Sequence, residues 1–292
     1  MDPPLPSGRG ASGTSPATTP SSDRAARRAA GRRAGLLALR VEWLLTAATL
    51  TSLLLAWYVV ARFGLVSDLF VPHPAAVWAA FTDILLDGYR GATLLRHLGD
   101  SLYRVVVGFL LAVVTAVPLG LAIGYSSKVQ AVFDPIIEFY RPLPPLAYYT
   151  LLVIWLGIEN ESKIALLYFA AFPPLSVSAM AGVRGVASER IQGAQSLGAS
   201  RWQVFRYVIF PSCLPDIFTG MRVSIGFTYT TLVAAEMVAA TSGIGWMVLD
   251  ASKFLRSDVI FMGNIVMGLT GIGLDRLIRT AEGRVVPWKG RA

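Results

Sequence analysis

The chain has 292 residues, of which 54% are hydrophobic and 15% charged; its mean hydropathy is +0.56, and an average soluble domain carries about 25% charged residues. That balance excludes a water-soluble globule and leaves room for several bilayer crossings with their loops. The net charge of +8 does not mark a nucleic-acid binder, because residues 1–40 hold seven arginines against Asp2 and Asp23, so most of the excess sits in one tail.

That tail is rich in Pro, Ser, Gly, Ala and Arg, with no aromatic residue. It cannot bury enough surface to offset the entropy of ordering, so residues 1–40 are expected to be a disordered basic tail on the cytoplasmic side. Arg27-Arg28 and Arg32-Arg33, ahead of an apolar run, also fit a twin-arginine export signal. The run from Trp43 to Ala61 is 19 uncharged residues, longer than a signal core, and reads as a membrane anchor. Residues 41–93 then comprise this first transmembrane helix and an outer segment. There, Pro74 to Leu86 sets Val77, Phe81, Ile84 and Leu85 at helical spacing, as an interfacial helix or a packing helix would.

A core, 94–280, carries five more apolar runs: Val105 to Ser127, Pro142 to Ile158, Ile164 to Val183, Val223 to Leu249 and Val259 to Leu274. The expected fold is an all-α integral membrane protein of six transmembrane helices. Six crossings put both termini on one side. With the N-terminus inside, eighteen Lys and Arg are cytoplasmic and seven are outside, as the positive-inside rule requires. Residues 281–292 become a cytoplasmic C-terminal tail.

Gly108, Ala112, Ala116, Gly120 and Gly124 line one face of the second span with small side chains, which favours close helix packing. Pro118 is expected to bend that span. Pro142, Pro144 and Pro145 interrupt the third span, and Pro173 and Pro174 the fourth; broken helices either border a cavity or are kinked for packing. Glu236 is the one ionisable side chain expected well inside a span, as a functional group or an interhelical hydrogen-bonding one. No Lys or Arg is expected within the spans, so the interior reads as a conduit without a fixed cation. Tyr148, Tyr149, Ser176, Ser178, Tyr229, Thr230, Thr231, Glu236 and Asn264 are the candidates for a polar translocation path.

No catalytic or metal site is expected. His73 and His97 fall in the outer region as surface residues, Cys213 is the single cysteine, and no H-E-x-x-H or G-x-S-x-G pattern occurs. The chain also contains no Gly-Lys pair, so it has no phosphate loop of its own and binds no nucleotide cofactor.

Between the fourth and fifth spans, segment 184–211 is amphipathic. Ser188 is placed to cap a first short helix that Gly198 ends; Ser200 and Gln203 form a capping-box pattern opening a second that Pro211 stops. The segment resembles the EAA loop of ABC importer permeases, Glu-Ala-Ala, three residues, Gly, nine residues, Ile-x-Leu-Pro. Laid on this chain, the pattern falls on Gln192, Gly193, Ala194, Gly198, Val208, Phe210 and Pro211. Spacing is kept, but Gln192 replaces the acidic residue, Gly193 an alanine, Val208 the isoleucine and Phe210 the leucine. The resemblance runs from about His97 onward and is nearest to the taurine and aliphatic sulfonate permeases, through Asp134 to Tyr149, Leu152 to Ile164, Ala194 to Arg201, Leu232 to Val248 and Val286 to Gly290.

It implies a type I ABC importer permease in the bacterial cytoplasmic membrane, carrying taurine or a related alkanesulfonate. The implied partners are a separate ABC ATPase that binds the ATP, a substrate-binding protein, a second permease copy in a homodimer, and membrane lipid, with no nucleic acid. Gln192, Gly193, Ala194, Leu197, Gly198, Ala199, Arg201 and Pro211 would couple the permease to that ATPase. Nitrate, bicarbonate and pyrimidine-precursor permeases share the scaffold and remain alternative substrates. Outside the family, the broken spans and Glu236 leave an ion-coupled secondary transporter as the other reading.

Overall fold

The computed structural model describes residues 43–289. The expected tail, 1–40, lies outside the described residues, as does the end of the C-terminal tail beyond Lys289. Described residues through Val59 belong to one compact unit and those from Val60 onward to a second. The first is most of α1 (Trp43–Arg62), 20 residues with a mean hydropathy of 1.8. At a rise of 1.5 Å per residue it measures about 30 Å, the thickness of a bilayer's hydrocarbon core.

The second unit contains α2 (Pro74–Leu86), α3 (Leu94–Tyr125), α4 (Ser127–Tyr140), α5 (Pro145–Leu156), α6 (Asn160–Arg184), α7 (Ser188–Ser196), α8 (Arg201–Val204), α9 (Phe210–Ala239), α10 (Ile244–Lys253) and α11 (Ser257–Val285). Local chemistry starts several of them. His73 Nδ1 accepts the Ala75 N–H at 3.2 Å ahead of Pro74 at the first helical position of α2. Thr93 caps α3 by accepting the Arg96 N–H. Helix α2 buries Val77, Ala80 and Ile84 and packs on α11; Trp78 stays exposed, stacked on Phe81 at 5.4 Å.

The small-residue face of α3 lies against α6. A Cβ on Gly108 would stand 2.9 Å from Leu167 Cβ, one on Gly120 2.3 Å from the Ser176 carbonyl, and one on Gly124 2.6 Å from Val183 Cβ. The paired numbers rise together, so α3 and α6 run parallel. The chain between them must therefore return the full depth of the bundle. Helices α4 and α5, of 14 and 12 residues, together measure about 39 Å and make that return, broken between Arg141 and Pro144. Five of the described helices reach spanning length alone, and the α4–α5 pair supplies the sixth crossing. Substituting Gly120→Val pushes a branched side chain into the α6 backbone; we expect a loss of about 1–3 kcal/mol, measured as a lower unfolding temperature in nanodiscs, and an unchanged temperature would exclude this contact.

Helix α9 packs antiparallel to α6, with Gly182 opposite Cys213, Gly220 opposite Ser178, and Ser224 Oγ donating to the Ala171 carbonyl at 3.0 Å. Helix α11 is antiparallel to α9, through Arg222 Nε and Asp275 Oδ1 at 2.9 Å and Tyr229 beside Gly271. Val105, Phe109, Ala112 and Ala116 of α3, Leu167, Ala171 and Leu175 of α6, and Phe218, Ile225 and Leu232 of α9 form the shared apolar core.

Several sequence expectations are corrected here. The expected fifth span, Val223 to Leu249, is not one helix: α9 runs from Phe210 to Ala239, Ala240 is extended, and Gly243 at φ +118 turns the chain into the separate α10. Pro211 does not stop a helix either. Phe205–Ile209 forms a π-helical turn in which the Phe210 N–H donates to the Phe205 carbonyl, five residues back. The widened turn lets Pro211, which has no N–H, enter α9 without breaking it. Helix α11 extends to Val285, past the expected boundary at 280.

Candidate functional site

Two polar regions lie at opposite ends of the bundle. At the end formed by Arg184 and Phe210, α7 carries the segment singled out in the sequence. Its N-cap is Ala187, without a side-chain cap; Ser188 sits inside the first turn and does not cap it. Gly198, at φ +85, closes α7: its N–H donates to the Gln195 carbonyl at 2.9 Å, and the Ala199 N–H to the Ala194 carbonyl at 3.1 Å. This double closure needs a left-handed residue, which glycine adopts without strain. The Ser200 hydroxyl accepts the Gln203 N–H at 3.3 Å while Gln203 Oε1 accepts the Ser200 N–H at 2.8 Å, so the expected capping box opens α8.

No residue of α7 is buried, and Leu197 is 91% exposed. Gly193 and Gly198 have open space where a Cβ would stand. The helix thus ends in a glycine closure beside an uncovered leucine, an exposed apolar side chain. It is also held firmly, since Ile191, Ala194 and Ala199 pack against the buried cluster of Val183, Val204, Ile209 and Cys213.

At the other end, Glu236 is fully buried near the C-terminus of α9. Arg104 Nη1 donates to its Oε1 at 2.7 Å, Ser101 Oγ at 2.8 Å, and the Gly245 N–H to Oε2 at 2.9 Å. Arg104 further donates to the Ser242 carbonyl at 2.8 Å, to Ser242 Oγ at 3.0 Å and to Asn160 Oδ1 at 2.7 Å. One ion pair thus joins α3, α6, α9 and the turn into α10. A Cβ on Gly243 would stand 2.3 Å from Glu236 Oε1, so the turn closes over the carboxylate only because residue 243 is glycine.

His97 belongs to the same cluster and is not a surface residue: it is buried, stacked on Trp246 at 5.6 Å. Its Nδ1 accepts the Gly243 N–H at 3.2 Å, which leaves the proton on Nε2 to donate to the Tyr89 carbonyl. Above it, Asp250 accepts from Tyr89 Oη at 3.0 Å and Arg90 Nε at 3.1 Å; burial, with Asp250 beside it, pushes the Tyr89 phenol up.

The expectation of no cation within the spans is therefore corrected. Arg104 lies on α3 inside the bundle, and Lys163, buried on α6, donates to the carbonyls of Ile158 and Glu159. Sequence reading placed both in loops because charge, by itself, looks like a span boundary.

The model of the family described as "Binding-protein-dependent transport system inner membrane component" matches residues 116–286, more than half the chain. The chain belongs to this permease family. Over 84% of its length and 90% of the relative's, it is 46% identical to the taurine transport system permease protein TauC of Escherichia coli strain K12. It is 32% identical to the putative aliphatic sulfonates transport permease protein SsuC of Bacillus subtilis strain 168, over 80% and 83% of the two chains. The fold is also that of a chain in inward-facing structures of the MetNI methionine ABC transporter, at 17% identity and a TM-score of 0.54, covering 64% of this chain and 95% of that one.

The permease distributes its sequence-named polar residues unequally. Tyr148 and Ser178 line an open cleft of about 360 Å³ between the α4–α5 break, α6 and α9. Tyr149, Ser176, Thr231 and Glu236 are packed inside the bundle; Ser176 Oγ donates to the Pro173 carbonyl at 3.0 Å and Thr231 Oγ1 to the Phe227 carbonyl at 2.9 Å. Tyr229 is half-buried, and Thr230 and Asn264 are exposed. The cleft also includes Arg141, which sequence reading counted among the cytoplasmic cations, and Tyr140, which it did not name as a path residue.

Proposed function

We propose that this chain is the membrane-spanning subunit of an ABC importer that carries taurine or a related alkanesulfonate, powered by a separate ATPase and supplied by a substrate-binding protein. The observation that carries the reading is the 46% identity to TauC across nearly the whole of both chains. In this reading the end bearing Gly198 is cytoplasmic, with both chain termini on that side. The permease acts as a homodimer. Helix α7 and its cap, from Gln192, Gly193 and Ala194 to Leu197, Gly198, Ala199 and Arg201, dock on the ATPase, and Pro211 sits where the coupling segment joins α9. Exposed Leu197 and the unobstructed surface at Gly198 support that docking, and the π turn links α8 to α9 so that a push on the segment moves the helix as a body.

The test is reconstitution. Permease, ATPase and binding protein in liposomes should accumulate taurine with ATP and not without the ATPase. Transport of an unrelated anion with no sulfonate uptake overturns the substrate; uptake without the ATPase that collapses on adding an ionophore would instead establish a secondary transporter.

A further inference from the structure

The cleft between the α4–α5 break and the middle of α6 and α9 has a chemistry that the packed interior lacks. Arg141 ends α4, and Pro142, Pro144 and Pro145 prevent the helix from continuing until α5 begins. Arg141 lines a cleft that also takes in Pro173 and Pro174, midway along α6, and Val223 and Phe227, midway along α9. Arg141 is exposed, and its side chain makes no hydrogen bond or ion pair with any described residue. Arg104, by contrast, is matched atom for atom. An exposed guanidinium that faces a cleft without a protein partner is available to an anion.

The rest of the lining fits a small zwitterion. The Tyr140 hydroxyl donates to the Tyr148 hydroxyl, which leaves the Tyr148 proton free to donate to a ligand. Pro173 and Pro174, both on the cleft wall, bring no N–H to the carbonyls of Phe169 and Ala170, two further lining residues. Those carbonyls, with the rings of Tyr148 and Phe169 set edge to face at 6.3 Å between centroids, suit an ammonium group.

Resting on the permease reading above, we propose that this cleft is a substrate-recognition site in the membrane: Arg141 and Tyr148 hold the sulfonate of a short aminosulfonate, and the proline-freed carbonyls and aromatic faces receive its ammonium. Arg141 is the anion-binding residue, because its planar fork bonds two sulfonate oxygens at once.

The test uses the assembled transporter in liposomes, with taurine uptake measured. Arg141→Gln should lower uptake about tenfold or more, the effect of losing a charge-assisted hydrogen bond. Arg141→Lys should fall between, keeping the charge without the fork. Arg141→Gln with wild-type uptake, or Arg141→Lys no better than Arg141→Gln, overturns the proposal; the second result would make Arg141 a cap for α4. Should Arg141→Gln fail to assemble, Tyr148→Phe decides, since it removes only a hydroxyl, and wild-type uptake in that variant would be equally fatal. If the wild type carries a different anion, the substrate reading falls, while the Arg141 effect is measured on that anion and judged separately.

Discussion

Replacing Arg104 with methionine should destabilise the folded permease by about 3–5 kcal/mol, because it leaves a carboxylate buried without its counter-charge. Side chains of Arg104 and Glu236 are 5% and 1% exposed, so water cannot substitute for the missing partner. The loss reaches beyond the pair. Ser242 and Asn160 lose their donor as well. Thermal unfolding in nanodiscs is the measurement. The double variant Arg104→Met with Glu236→Leu should recover much of the deficit, since a buried apolar pair carries no desolvation cost. A single variant that melts with the wild type would show that Glu236 is not clamped, and a double variant worse than the single would show that its charge serves something other than the fold.

Gly198→Trp should leave the permease folded and in the membrane while separating ATP hydrolysis from transport. The site has open space for a large side chain; the strain is confined to one residue at φ +85, about 1–2 kcal/mol for a non-glycine residue there. An indole beside Leu197 then stands in the surface proposed to meet the ATPase. Uptake per ATP hydrolysed should fall by roughly tenfold, within the range of coupling energies between linked sites. Paired uptake and hydrolysis assays on the reconstituted complex measure it. Wild-type coupling in this variant would remove α7 from the contact with the motor.

These two sites differ in how far they could be read in advance. Helix α7, its glycine closure and the Ser200–Gln203 box are local: each bond joins residues a few positions apart, so the spacing of Gly, Ser and Gln contains the geometry. The partners of Glu236 come from positions 101, 104 and 245, and no local pattern links them. Arg104 looked like the edge of a span because an isolated charge raises the cost of insertion, and only its pairing offsets that cost. Arg141 was not named as a path residue because the proline cluster beside it resembles the end of a crossing.

Hydropathy, the small-residue spacing of α3 and the glycine and Ser-x-x-Gln signals of segment 184–211 were enough to establish a helical membrane protein with two short helices in that segment. These depend on chain composition and on contacts within one turn of helix. The parallel packing of α3 on α6, and hence the return crossing by two short helices, was decided by tertiary structure alone. So were the burial of a complete ion pair at one end and the opening of an arginine-lined cleft in the middle. Each depends on which distant side chains share a volume, and that is set by packing a whole bundle.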